Sequence, residues 1–361
     1  MKNIERKKTI IFVVTSMGRG GAERVVSILA NYYASIRWKV HIIMLWHDIL
    51  EYKLDDDIQV HCLSNGDGNP YTKVLSLVLK LRKKIREIAP MAVVSFVAQN
   101  NIISYMATYG LGVRIIPSER IDPASMKRGR IYSYILNRVY ANSTVSVLQT
   151  ERARNFFPEK VRKNSVIIYN PVTVHCNAGI EREKIIITAG RLEKQKNHKM
   201  LIAAFERFHA HFKDYKLVIY GEGILRTELE NMVKEKGIED AVLLPGVVSN
   251  IQEIEAKAEM FVLSSDFEGM SNALMEAMAI GLPCITTDCA GSNELVENKK
   301  NGLQVKVGDE QGMFDAMVYM AEHREEAEKM GCAARKFSKI FATENIIDKW
   351  RAAIEGELYG C

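Results

Sequence analysis

Two carboxylates, Glu268 and Glu276, stand on either side of a helix start. Met260 to Ser264 reads as an apolar strand, Gly269 to Asn272 as a tight turn and Ala273 to Ile280 as a helix. Gly281-Leu282-Pro283 then ends that helix with a left-handed cap followed by proline. Along a helix the two carboxylates lie roughly 12 Å apart at about 1.5 Å per residue, which suits a ligand with two polar ends. Between them, helix geometry leaves the amides of Gly269, Met270, Ser271, Asn272 and Ala273 without intrahelical partners, at the positive end of the dipole. An anionic middle such as a diphosphate fits there.

Cations that could meet such an anion lie in Gly190-Arg191-Leu192-Glu193-Lys194-Gln195-Lys196-Asn197. The Arg191 fork and the Lys196 ammonium are suited to diphosphate oxygens, and a loop at a strand's carboxyl end is where they would meet them. A surface cluster of charges is the alternative. Gly20 and Gly21 lie where a first strand meets a first helix. They are not a dinucleotide fingerprint, because the third glycine of Gly-x-Gly-x-x-Gly would fall at Glu23. They allow close approach of backbone to a phosphate or sugar, and fit a plain tight turn equally. Tyr220-Gly221-Glu222-Gly223 opens another helix, and Gly246-Val247 ends another strand. Each would line a rim of the same crevice. In Ser118-Glu119-Arg120, Glu119 could pair with Arg120, leaving the arginine to meet an anionic acceptor or to form a surface ion pair.

The elements that must position these residues alternate from end to end. Strands are expected near 10–15, 40–45, 58–63, 92–96, 114–117, 144–148 and 166–169, with helices near 22–35, 73–88, 100–109, 124–139 and 149–156. A polar linker follows, Thr173 to Arg182. The alternation resumes with strands at 184–188, 216–220, 241–244, 260–264, 284–287 and 303–305, and three helices finish the chain, the last near 343–357. Nearly continuous apolar strands are those of buried parallel sheets. The expected fold is α/β: two doubly wound Rossmann-like domains, 1–170 and 171–342, facing across a cleft, with ligands at the carboxyl ends of the strands.

Composition narrows the partners. The 361 residues carry a net charge of +5, but residues 1–170 hold 26 Lys and Arg against 13 Asp and Glu, and the remainder 23 against 31. A basic first half points to an anionic partner: membrane surface, nucleic acid or phosphorylated substrate. Helix 73–88 is amphipathic, with Val74, Leu77, Leu81, Ile85 and Ile88 on one face and basic residues largely off it. It reads as a core helix with a solvated basic face or as an attachment to anionic lipid. Six scattered cysteines fit a reduced, cytoplasmic setting. The apolar run at 10–14 is too short for a signal sequence, and no stretch approaches the roughly 18 apolar residues of a membrane span. Eight histidines show no metal spacing, and no Asp-x-Asp pair is present.

In this combination and order, Gly20-Gly21-Ala22-Glu23-Arg24, Gly190-Arg191-Leu192 with Lys196-Asn197, and Glu268 to Glu276 with Gly281-Leu282-Pro283 resemble the family-4 retaining glycosyltransferases of the two-Rossmann GT-B fold. The resemblance covers essentially the whole chain. It implies that Arg191 and Lys196 bind the donor diphosphate and stabilise the leaving group, that Glu268 meets hydroxyls of the transferred sugar and Glu276 the ribose. Amides after Gly269 would hold sugar and phosphate, and the backbone at Gly246-Val247 the base. A closing helix, 343–361, would cross back onto the first domain, which would bind the acceptor. Many members have a histidine near the reacting sugar where this chain has Ser118-Glu119-Arg120. Arginine cannot act as a general base, since its pKa exceeds about 12. That favours a front-face mechanism.

The expected protein is therefore a cytoplasmic, peripheral membrane enzyme of bacterial surface-polysaccharide assembly. It would move a hexose or N-acetylhexosamine from a UDP-sugar to a polyprenyl-diphosphate-linked glycan, with retention, without metal or cofactor and without nucleic acid. A sugar-nucleotide epimerase of the same fold and a non-catalytic nucleotide-binding or membrane-binding protein are the alternatives. Glycosidase-like use of Glu268 and Glu276 is disfavoured, because retaining hydrolases need carboxyls about 5 Å apart.

Overall fold

The structure, a computed structural model, describes residues 8–18, 20–64, 70–126, 128–174, 181–248 and 250–356. Most of the expected linker therefore lies outside the described residues. The chain divides into two units: Met1–Asn170 with Glu344–Cys361, and Pro171–Thr343.

The first unit contains a seven-stranded parallel sheet of β1 (Thr9–Val14), β2 (Lys39–Met44), β3 (Gln59–Cys62), β4 (Ala92–Phe96), β5 (Arg114–Ser118), β6 (Ser146–Leu148) and β7 (Ser165–Ile167), in the order β3-β2-β1-β4-β5-β6-β7. Its helices are α1 (Gly21–Ser35), α2 (Pro70–Ile88), α3 (Ala98–Thr108), α4 (Arg130–Asn142), α5 (Glu151–Phe156) and α6 (Glu159–Lys163). The pleat explains the continuous apolar runs. Ile10, Phe12 and Val14 enter one core with α1, while Ile11 and Val13 enter another with α2 and α3 on the opposite face. Leu77, Leu81 and Ile85 of α2 are buried there, leaving Lys80, Lys83 and Arg86 exposed.

The helix expected from residue 124 starts later. Asp122 accepts from the Ala124 amide (3.0 Å) and closes a separate single turn, Pro123–Ser125, before α4 begins at Arg130. Val97, between β4 and α3, has φ +75°, an outlier for a β-branched residue. Its amide donates to Ser118 O (3.1 Å), which ties it to the end of β5.

The second unit repeats the plan. Strands β8 (Glu183–Ala189), β9 (Lys216–Tyr220), β10 (Val242–Gly246), β11 (Ala258–Leu263), β12 (Cys284–Thr287) and β13 (Leu303–Val305) pair in parallel, in the order β10-β9-β8-β11-β12-β13. The strands alternate with α7 (His198–His211), α8 (Arg226–Glu235), α9 (Ile251–Glu255), α10 (Asn272–Ile280), α11 (Glu310–Glu322) and α12 (Arg324–Ser338). Strand order reverses between β8 and β11, so the loops after these two strands frame a crevice that helices do not close.

A last helix, α13 (Thr343–Glu355), carries Ile346, Trp350, Ala353 and Ile354 at helical spacing into the core of the first unit. Trp350 is fully buried, 5.6 Å from the Phe96 ring centroid. Trp350→Ala should lower the stability of the first unit by about 3 to 5 kcal/mol, because an aromatic-sized cavity beside a sheet collapses only in part. Urea unfolding of the full chain checks this: the transition of the second unit should keep its midpoint while that of the first moves down.

Candidate active site

After β8, Gly190 and Arg191 lead into a single turn at Lys194–Lys196. After β11, Ser264 to Glu268 forms the facing loop, and the two loops are laced together. Lys196 Nζ lies 2.5 Å from Glu268 Oε1, and the side chains are only 14% and 8% exposed. Ser265 Oγ donates to the same carboxylate oxygen (2.7 Å), Gln195 Nε2 to Phe267 O (2.8 Å), and Ser264 Oγ to Lys196 O (2.8 Å). Asn197 adopts the left-handed conformation that starts α7. Its side-chain oxygen accepts from the Met200 amide, and its Nδ2 donates to Asp266 (2.8 Å). Arg191 is different in kind: its guanidinium is 68% exposed and 3.0 Å from Glu193. Arg191 can swing to a ligand, whereas Lys196 is held.

Glu268 leads into α10. Ser271 caps the helix by accepting from the Leu274 amide (3.4 Å), so Gly269 to Ala273 form its N-terminal approach as the sequence suggests. Met270, Ser271 and Glu276 are buried, Gly269, Asn272 and Ala273 half-buried. Gly281 (φ +83°) ends α10, and its carbonyl accepts from Arg182 (2.8 Å). Behind Glu276, Glu255 of α9 is fully buried. Burial and then the charge of Glu276 push its pKa well up, which favours the neutral acid.

The neighbouring loops close around this pair of strands. Gly221 has φ +134°, and a Cβ there would lie 1.9 Å from Gly190 O, so only glycine admits the loop after β9 beside the loop after β8. Gly291 is similar: a Cβ would lie 2.1 Å from Gly269 O, which brings the loop after β12 against the start of α10. The helix expected at Tyr220–Gly223 begins instead at Arg226, because these glycines are taken up by the loop contacts. Gly246 (φ +91°) accepts from the Gly221 amide (2.9 Å), and Val247 beyond it is 54% exposed. Arg191, Lys196, Gly246, Val247, Glu268, Gly269 to Ala273 and Glu276 thus belong to one unit.

Gly20 and Gly21 belong to the other unit, at the junction of β1 and α1. Glu119 and Arg120 are there too, and the ion pair expected between them does not form. Glu119 accepts from Arg128 (3.0 Å) and Tyr140 (2.9 Å), while Arg120 donates to Ile168 O (3.1 Å) and lies over the rings of Phe96 and Trp350. Both residues are buried, at 1% and 9% exposure, so the alternative of a surface ion pair is not what the structure shows. Burial lowers the Arg120 pKa to about 9. Ser265 and Gln195 are the side chains that sequence reasoning missed. A polar Ser264-Ser265-Asp266 run directly after an apolar strand was the available signal.

The pair of Rossmann-like units has counterparts among solved structures. Anabaena HepE in complex with UDP and glucose aligns over 97% of this chain and all of its own, with a TM-score of 0.80 and 15% identity. Sucrose-phosphate synthase from Thermosynechococcus elongatus aligns over 98% and 100%, with a TM-score of 0.84 and 15% identity. The fold is that of the GT-B glycosyltransferases. The family model described as "Glycosyl transferases group 1" matches residues 177–337. A Campylobacter jejuni relative, N-acetylgalactosamine-N,N'-diacetylbacillosaminyl-diphospho-undecaprenol 4-alpha-N-acetylgalactosaminyltransferase, is 32% identical over 342 residues, 88% of this chain and 90% of its own. A second, GalNAc-alpha-(1->4)-GalNAc-alpha-(1->3)-diNAcBac-PP-undecaprenol alpha-1,4-N-acetyl-D-galactosaminyltransferase of the same organism, is 27% identical, covering 94% and 96%. The chain belongs to this family of GT-B, family-4-like glycosyltransferases.

The site also makes a pH prediction. His198, the first residue of α7, is buried beside Lys196, and burial followed by that positive charge lowers its pKa to about 4. Its unfolded value is about 6.5. Above pH 6.5 both states are neutral and the stabilisation is fully present; between about 6.5 and 4 the unfolded chain binds the extra proton, so stability falls with pH. The loss should reach at most about 3 kcal/mol. Denaturation midpoints measured between pH 7 and 4 should decline more steeply in the wild type than in His198→Asn. Parallel curves would rule the histidine out as their source.

Proposed function

We propose that the protein is a retaining glycosyltransferase that moves an N-acetylhexosamine or hexose from a UDP-sugar to a polyprenyl-diphosphate-linked glycan in cell-surface polysaccharide assembly. The observation that carries this is the buried Lys196–Glu268 pair at the switch point, directly before the N-terminus of α10. An ammonium fixed in a poorly solvated crevice beside helix amides is a preorganised site for a departing diphosphate. The Campylobacter relatives, whose names specify undecaprenyl-diphosphate-linked acceptors and N-acetylgalactosaminyl transfer, support the substrate class.

In the reaction, Lys196 and Arg191 take the diphosphate oxygens, Glu268 receives sugar hydroxyls, and Glu276 the ribose hydroxyls. The backbone at Gly246 and Val247 borders the base. A donor phosphate oxygen accepts the proton of the attacking hydroxyl on the face from which the diphosphate leaves. The new glycosidic bond forms on that face, so configuration is kept. The chain supplies the charge stabilisation itself, with no metal or cofactor besides the donor, and works at the inner face of the membrane that holds its acceptor.

Incubation with UDP-, GDP- and dTDP-sugars, with and without a polyprenyl-diphosphate glycan, tests this. Release of UDP only when acceptor is present is expected; interconversion of sugars without acceptor, or silence with every donor, would sink it. Lys196→Ala should lower kcat by about a hundredfold to a thousandfold, the loss typical of one preorganised electrostatic group, with an unchanged circular dichroism spectrum. Near-normal turnover would remove lysine from the mechanism.

A further inference from the structure

The short helix α9 is built against its own pattern. Of Ile251-Gln252-Glu253-Ile254-Glu255, the two isoleucines are half-buried, and the residue that is wholly buried is the acid Glu255. Both of its carboxyl oxygens lack a hydrogen-bond partner among the described residues. Glu268, also buried, is by contrast supplied with Lys196 and Ser265. An acid left without such partners is held neutral, because an unpaired charge away from water is far less favourable than an unpaired neutral group.

The surroundings of Glu255 point the same way. Helix α9 packs against α10 and β11. The groups whose charge is felt between them and Glu255 are Glu276 on α10 and Cys284 on β12, and both are acids. The Cys284 thiol donates to Leu282 O (3.1 Å), and Arg182, whose charge reaches Cys284, donates to Gly281 O (2.8 Å). A neutral carboxyl differs from a carboxylate in having an O–H to donate. On α10 the matching acceptor is the Glu276 carboxylate, and an O–H donated to a carboxylate is among the stronger hydrogen bonds.

We propose that Glu255 is a positioning residue for the nucleotide: Glu255 and Glu276 hold one proton between them, Glu255 keeps it, and its O–H backs the Glu276 carboxylate as that group accepts the ribose hydroxyls. This deepens the function proposed above and rests on its assignment of Glu276 to the ribose. A buried carboxyl that is only a tolerated defect behaves differently. Replacing it by an apolar side chain of similar volume stabilises the fold in either case, but only a positioning role ties the replacement to the sugar hydroxyls.

Isothermal titration calorimetry of the full chain with UDP and with its dideoxyribose analogue tests this. The wild type should prefer UDP. Glu255→Met should raise the melting temperature and weaken UDP binding about tenfold to a hundredfold, the effect of one hydrogen bond to a charged group, while its affinity for the dideoxy analogue stays at the wild-type level. Glu255→Gln keeps a neutral donor in place and should bind UDP as the wild type does. Equal loss on both nucleotides, or glutamine as damaging as methionine, would overturn the proposal. A wild type that binds neither nucleotide, or both alike, refutes the reading of Glu276 and the proposal with it, whereas a UDP preference untouched in Glu255→Met refutes the proposal alone.

The proton also has a readout without nucleotide. The unfolded chain releases it near the ordinary value of 4.5 and the folded chain keeps it, so above that pH the unfolded state binds fewer protons and stability falls as pH rises. The advantage in melting temperature of Glu255→Gln over the wild type should therefore grow between about pH 5 and 8. A constant difference would mean that Glu255 is charged in the folded chain, and no shared proton would remain.

Discussion

A half-buried ammonium and a buried carboxylate cannot be left apart in this crevice, and much of the second unit's loop structure follows from keeping Lys196 on Glu268. Breaking such a pair strands a charge away from water, a loss of several kcal/mol, whereas satisfying it requires further hydrogen bonds for the remaining lone pairs. Ser265 and Gln195 supply these, and Ser264 anchors the lysine's own carbonyl. The pair therefore fixes two loops that meet only because strand order reverses between β8 and β11. Its chemical use and its structural use coincide: the groups that hold the ammonium in place are separate from the anion it would meet.

Close backbone approach is the second constraint. Side chains at Gly221 and Gly291 would overlap carbonyl oxygens of Gly190 and Gly269, so the loops after β9 and β12 can lie against the paired loops only as glycine. The result is a set of loops packed backbone against backbone around the Lys196–Glu268 pair. Arg191, exposed at the rim, keeps the rotamer freedom that Lys196 has lost.

How much of this was legible in sequence depended on range. Strand positions in both sheets were readable because apolar runs buried on two faces leave little ambiguity, and α10 was readable because Ser271 and Gly281 mark its ends. Local patterning also brought out both partners of the ion pair, though the pairing itself spans 72 positions and no periodicity reports it. Adjacency misled at Glu119 and Arg120. The two carry opposite charges next to each other, but beyond the end of β5 Glu119 turns to Tyr140 and Arg120 to Phe96 and Trp350. The partner from α13 comes from 230 positions away, beyond any local pattern. Gln195 and Ser265 escaped notice for the same reason: their roles exist only once the loops meet.

The two units have the same strand order, yet their switch points differ in kind. In the first, Asn100 bridges the loops after β1 and β2, donating to Thr15 (3.0 Å) and accepting from Trp46 (3.0 Å), and Val97 holds a strained backbone. In the second, the corresponding position carries the buried Lys196–Glu268 pair. One scaffold thus carries a buried ion pair in one copy and a neutral amide network among the described residues of the other. The first unit keeps its acids Glu119 and Asp122 inside and lays its cations along the outer helices α2 and α4. A diphosphate leaving group is a compact double charge best met by a fixed cation in a narrow crevice, whereas an extended anionic surface is best met by many solvated cations on a broad face.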